Sequence, residues 1–196
     1  VNWALAAVCI SMSRELAPRK VRVFIDFLRA VGTLHWGLMT MVFALSHLAY
    51  LLVLPEGSAV QAHGAALLLF VVLLTELNDV LQYVWGRTLG RRKVIETVSP
   101  KKTVAGLLGG ALSTTLVAFL LAPVLTPLTP NHAIAVGLMI GFGGFVGDVT
   151  ISALKRDLGI KDTGSIIPGH GGILDRIDSL LFTAPLYFHF LKYFYF

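Results

Sequence analysis

Cysteine is nearly absent from this 196-residue chain: Cys9 stands alone in an apolar run, so no disulfide framework holds the fold. Charge is scarce too. Asp, Glu, Lys and Arg make up 14% of the residues, against about a quarter in soluble domains. Hydrophobic residues make up 56%, and the mean hydropathy is +0.77. That balance excludes an ordinary water-soluble domain and points to an all-α, polytopic integral membrane protein. No GxxxxGK[ST] string occurs, which excludes a P-loop enzyme. The net charge of +5 does not signal nucleic acid, because the basic residues are not interleaved with aromatic ones. The chain opens at Val1 inside an apolar stretch, without Met. It is read as a truncated protein rather than one carrying a signal peptide.

What the chain has in quantity is apolar runs near the ~20 residues that a bilayer-spanning helix needs. Six are read, at roughly 1–13 (short), 30–54, 60–86, 104–125, 132–154 and 177–195. The connections alternate in kind. Residues 55–62 and 123–131 hold no Lys or Arg, whereas 14–29, 87–102 and 155–176 hold five, six and four of the sixteen; Lys192 is the exception. By the positive-inside rule the three basic segments face the cytoplasm, in a bacterial inner (plasma) membrane. The aromatic end, YFHFLKYFYF, belongs at the opposite interface. In 14–29, Val21, Phe24, Ile25 and Leu28 share a helical face, which fits an interfacial amphipathic helix as well as a plain basic connector. The organisation expected is 1–75, N-terminal spans with this connector, and 76–196, a catalytic transmembrane domain.

Ionisable groups inside such spans cost about 2.5–3.5 kcal/mol each on insertion scales, so their placement is informative. In the third span Glu76, Asp79 and Tyr83 fall at i, i+3 and i+7, with Asn78 and Gln82 alongside. In the fifth, Asp148, Ser152 and Lys155 follow at i, i+4 and i+7, on one face. Asp175 and Asp178 lie about a turn apart at the start of the sixth. All three stripes end on the basic-loop side, so they can meet in one cavity. Carboxylates that face one another repel unless a cation offsets them. Asp148, Asp175 and Asp178, with no Cys or His near them in sequence beyond His170, therefore suggest Mg²⁺, with a second cation left open. Glycines at 137, 141, 143 and 147, and at 106, 109 and 110, form small-residue faces for close helix packing, and such faces also suit a homodimer.

Two loops carry chemistry. SPKKT, Ser99–Thr103, brings Lys101, Lys102 and Thr103 to an expected helix start near Pro100, where backbone N–H groups and two cations suit a polyphosphate. PGHGG, 168–172, lets Gly171 and Gly172 approach a ligand closely beside His170.

The run SALKRDLGIKDTGSIIPGHGGILDRID, Ser152 to Asp178, follows S-x-x-K-R-x4-K-D-x-G-x2-I-P-x-H-G-G-x-x-D-R-x-D. It resembles the signature of the phosphatidate cytidylyltransferases, or CDP-diacylglycerol synthases. SPKKTxxG at 99–106 and NDVLQYVWGRTLG from Asn78 resemble further blocks of that family. The resemblance implies that CTP and phosphatidic acid react at the bilayer to give CDP-diacylglycerol and pyrophosphate. It implies Asp148, Asp175 and Asp178 at a metal centre and Lys101, Lys102, Lys155, Arg156 and Arg176 on phosphates. Ser99, Lys161, Asp162 and His170 match further motif positions. Ala105 stands where the family commonly has an acidic residue, and Gln82-Tyr83 where it has Ala-Tyr, which points to a divergent branch. Two other readings use the same residues: a cytidylyltransferase acting on a different lipid phosphate, and a non-catalytic, ion-coupled transporter.

Overall fold

In the computed structural model the described residues are 18–54, 60, 63–95, 98–157, 159 and 177–196. Five helices occur among them: α1 (Arg19–Leu52), α2 (Gly64–Leu89), α3 (Val104–Leu125), α4 (Pro130–Asp157) and α5 (Leu180–Tyr195). Between α2 and α3 lie two short strands, β1 (Lys93–Ile95) and β2 (Ser99–Thr103), paired antiparallel with Lys93 opposite Thr103 and Ile95 opposite Ser99. The chain divides into two compact units, Val1–Met39 and Thr40–Phe196. Every cavity described below lies in the second.

Four helices, α1 to α4, are long and apolar enough to cross a membrane, against the six spans expected. The expected span at 1–13 lies outside the described residues. The expected span at 177–195 is helical as α5, but its 16 residues rise only about 24 Å, less than the ~30 Å hydrocarbon layer. Segment 14–29 also differs from expectation. From Arg19 onward it forms the first turns of α1, and no proline interrupts the helix between Arg19 and Leu52.

The helices of the second unit pack through small residues. A Cβ on Gly106 would lie 2.7 Å from the Gln82 carbonyl oxygen, and one on Gly110 would overlap the Gln82 side chain. Glycine there lets α3 lie directly on α2. Along α4, a Cβ on Gly137 or Gly141 would press on the α3 backbone at Thr115 or Ala111. Gly143 and Gly147 face Leu186 and the Asp178–Ser179 backbone instead. The small-residue pairs therefore dock α4 on α3 with one pair and on the α5 end with the other. Around them Phe70, Leu74, Ala118, Ile140, Tyr187 and Leu191 form a buried apolar core, and Thr75 and Thr183 hydroxyls meet inside it at 2.9 Å.

Candidate active site

A cavity of about 830 Å³ opens where α2, β2, α4 and the start of α5 converge. That volume is within the range of small-molecule sites. The i, i+3, i+7 stripe of α2 supplies Glu76, Asp79 and Tyr83, with Gln82 and Arg87 beside them. The hairpin supplies Ser99, Lys101, Lys102 and Thr103; α4 supplies Asp148, and the turn before α5 supplies Asp178.

The SPKKT segment is built differently from the helix start expected at Pro100. Ser99–Thr103 is a strand, and the helix begins only at Val104. Thr103 is the N-cap: its backbone is extended, at φ −120° and ψ 156°, and its Oγ1 accepts the Gly106 N–H at 3.1 Å. Proline and β-branched Thr suit an edge strand better than a helix interior. Strand alternation then separates neighbouring side chains, and Lys102 turns inward.

Lys102 is the hub of the site. Its ammonium donates to Asp148 Oδ2 at 2.5 Å and to Gln82 Oε1 at 3.2 Å, and it stands 5.4 Å above the Phe145 ring. Asp148 is held from its other oxygen by the Ser152 hydroxyl at 3.2 Å, so the i, i+4 pair expected on α4 is a real contact. Gln82 is buried and also donates to the Gly141 carbonyl at 3.3 Å. Asn78, fully buried, donates to that same carbonyl and accepts the Thr114 hydroxyl. Polar side chains of α2 thus fix α3 and α4 around the lysine.

One serine holds two further carboxylates. The Ser179 hydroxyl donates to Asp79 Oδ2 at 2.7 Å, and its backbone N–H donates to Asp178 Oδ1 at 2.9 Å. Asp79 Oδ1 is buried without a hydrogen-bond partner. Asp79, Asp148 and Asp178 lie within electrostatic reach of one another, with Lys155 close enough to Asp178 to offset part of the repulsion.

Of the residues singled out in the sequence, Ser99, Lys101, Lys102, Thr103, Asp148 and Asp178 line this one cavity. Lys155 and Arg156 lie in the last turn of α4 and are not among its lining residues. Lys161, Asp162, His170, Gly171, Gly172, Asp175 and Arg176 lie outside the described residues. Asp79 and Gln82 were visible as a polar stripe in an apolar span, but only packing reveals that they share a wall with Lys102.

The donor chemistry of the cavity fits a hard divalent cation. Among the described residues its candidate ligands are carboxylates, no His or Cys lines it, and the partnerless Asp79 oxygen can accept one more contact. Among the described residues no three His, Cys, Asp or Glu side chains are close enough to share an ion, and Lys102 takes up one Asp148 oxygen.

Residues 3–194 match the model of the cytidylyltransferase family. The chain is 53% identical over 167 residues to the uncharacterized protein YnbB of Escherichia coli (strain K12), covering 85% of this chain and 55% of that protein. It is 47% identical over 114 residues to a phosphatidate cytidylyltransferase of Synechocystis sp., covering 58% and 39%. With a phosphatidate cytidylyltransferase of Staphylococcus saprophyticus it shares 38% over 132 residues, covering 64% and 49%. The chain thus spans about half the length, or less, of these curated relatives.

Proposed function

The chain belongs to the cytidylyltransferase family, and on that premise we propose that it transfers the cytidylyl group of CTP to phosphatidic acid. An oxygen of the lipid phosphate attacks the α-phosphorus of CTP. The bond from that phosphorus to the bridging oxygen breaks, and pyrophosphate leaves. The protein forms no covalent bond in this scheme; it positions two anions against each other and offsets their charge.

The observation that carries the reading is Lys102, held between Asp148 and Gln82 on a wall that also carries Glu76, Asp79 and Asp178. In this reading Lys102 exchanges Asp148 for a phosphate oxygen, and Lys101 on the same strand contacts the triphosphate. Gln82 keeps the Lys102 ammonium on the cavity wall while its ionic partner changes. Thr103 and Ser99 present hydroxyls to the same phosphates. Asp148 and Asp178, with Asp175, would hold a Mg²⁺ ion, which when bound offsets phosphate charge. Lys155, Arg156, Lys161, Asp162, His170, Gly171, Gly172 and Arg176 complete the phosphate-binding set. The cavity faces the cytoplasm, where CTP enters from water and phosphatidic acid from the leaflet.

The test is incorporation of α-labelled CTP into lipid by the purified chain, offered phosphatidic acid and a panel of other lipid phosphates. Label should enter the phosphatidic acid product in a Mg²⁺-dependent way. Preference for another lipid phosphate would reassign the substrate, and flux of ions without CTP consumption would support the transporter reading instead.

A further inference from the structure

A second cavity, of about 500 Å³, lies between the C-terminal part of α1 and the last turns of α5. Its walls are aromatic: Phe43, Tyr50, Phe188 and Phe196. Its polar side chains are Ser46, His47, His189 and Lys192, and among the described residues no Asp or Glu side chain lines it. Lys192 is the one basic residue of the chain outside the three basic segments. It lies fourteen residues beyond Asp178, about 21 Å along the helix axis, so this cavity opens at the other end of α5 from the carboxylates.

The two histidines stand side by side at the polar edge of the cavity. His47 Nδ1 is 2.6 Å from the Phe43 carbonyl oxygen. A carbonyl only accepts, so that nitrogen carries the proton and Nε2 of the neutral ring is left to accept from a ligand hydroxyl, as on the glycerol side of a headgroup. The His189 ring lies 5.2 Å from the His47 ring, and both rest edge-on against Phe188. Two imidazoles alone could attract a metal ion, and an aromatic box could attract an organic cation. A lysine ammonium among them opposes either. What the set complements is negative charge at its polar side and hydrocarbon along its rings, at the depth where Tyr, Phe and Lys mark a membrane boundary.

We propose that this cavity binds the phosphate-bearing headgroup of an anionic phospholipid in the leaflet at that end of α5. Lys192 and His189 contact the phosphate, Ser46 and His47 its glycerol side, and Phe43, Tyr50 and Phe188 flank the first acyl methylenes. This goes beyond the transfer reaction, since the site is remote from the reacting phosphates.

Native mass spectrometry of the full chain in detergent, titrated with phosphatidylglycerol, tests this; phosphatidylglycerol is used so that the substrate cavity is not the one read out. The wild-type chain should retain the lipid and should not retain uncharged diacylglycerol. Lys192→Gln should weaken retention about fivefold, and Lys192→Gln with His189→Gln should weaken it further. CTP turnover should stay at wild-type level in Lys192→Gln, which confirms that the variant is folded. Equal retention by the variants would overturn the proposal. So would displacement of the lipid by millimolar inorganic phosphate, which would mark a free-anion site, or a second copy of the chain occupying the cavity in place of lipid.

Discussion

Lys102 sits among an acid, an amide and an aromatic ring, and each neighbour answers a different substitution. Lys102→Ala removes the charge aimed at the phosphates and should lower kcat/KM by about 10²–10³. Gln82→Ala removes one hydrogen bond to that ammonium and should lower kcat/KM about tenfold, with the larger share in KM if the amide only places the lysine. Steady-state kinetics with varied CTP separates the two. Asp79→Asn keeps an acceptor for Ser179 but deletes a charge whose second oxygen has no partner. It should raise the Mg²⁺ concentration needed for half-maximal turnover. Charge placement in an oily span made Asp79 and Asp148 legible from the sequence, and the SPKKT string did so for Lys102. Their partnerships were not, because the Gln82–Lys102 and Ser179–Asp79 contacts join positions 20 and 100 residues apart. No spacing rule within one helix reaches that far.

At the scale of elements, the cap and the glycine seams give the sharpest contrasts. Thr103→Val removes the hydroxyl that accepts the Gly106 N–H and should cost about 1 kcal/mol, seen as a lower Tm. Gly147→Val places a side chain 2.8 Å or less from the Asp178 carbonyl. The backbone must move, carrying Asp178 with it, so both Tm and turnover should fall. Gly143→Ala meets only the end of the Leu186 side chain at 3.0 Å and should be tolerated; equal losses in the two variants would argue against the seam. Span positions and the packing faces of the glycines could be read from hydropathy and spacing. The hairpin could not. SPKKT offers a proline and two lysines that suit a loop, a strand or a helix start, and its pairing with Lys93–Ile95 decides among them. The last span was expected from residue 177, but α5 begins at Leu180 because Asp178 and Ser179 stand in a turn ahead of it.

For the whole molecule, the alternation of connections with and without Lys and Arg makes a topology prediction. In a Cys9→Ser background, single cysteines in the 87–102 and 155–176 segments should be labelled only from the cytoplasmic side. One near Thr129 should be labelled only from the other. Labelling of both kinds from one side would break the alternation. The convergence of three polar stripes, expected from their common end of the spans, is seen for α2 and α4 and for Asp178, which line one cavity. The volume of that cavity and the strand that closes it came from packing alone.

The proposed Mg²⁺-dependent cytidylyl transfer requires the carboxylates of this cavity. The most direct measurement is labelled-CTP incorporation into phosphatidic acid by the intact chain and by Asp148→Asn, Asp175→Asn and Asp178→Asn, each checked for wild-type Tm. The wild type should incorporate label in a Mg²⁺-dependent way, and each variant should lose that incorporation while the fold persists. Full turnover in all three variants would contradict that requirement.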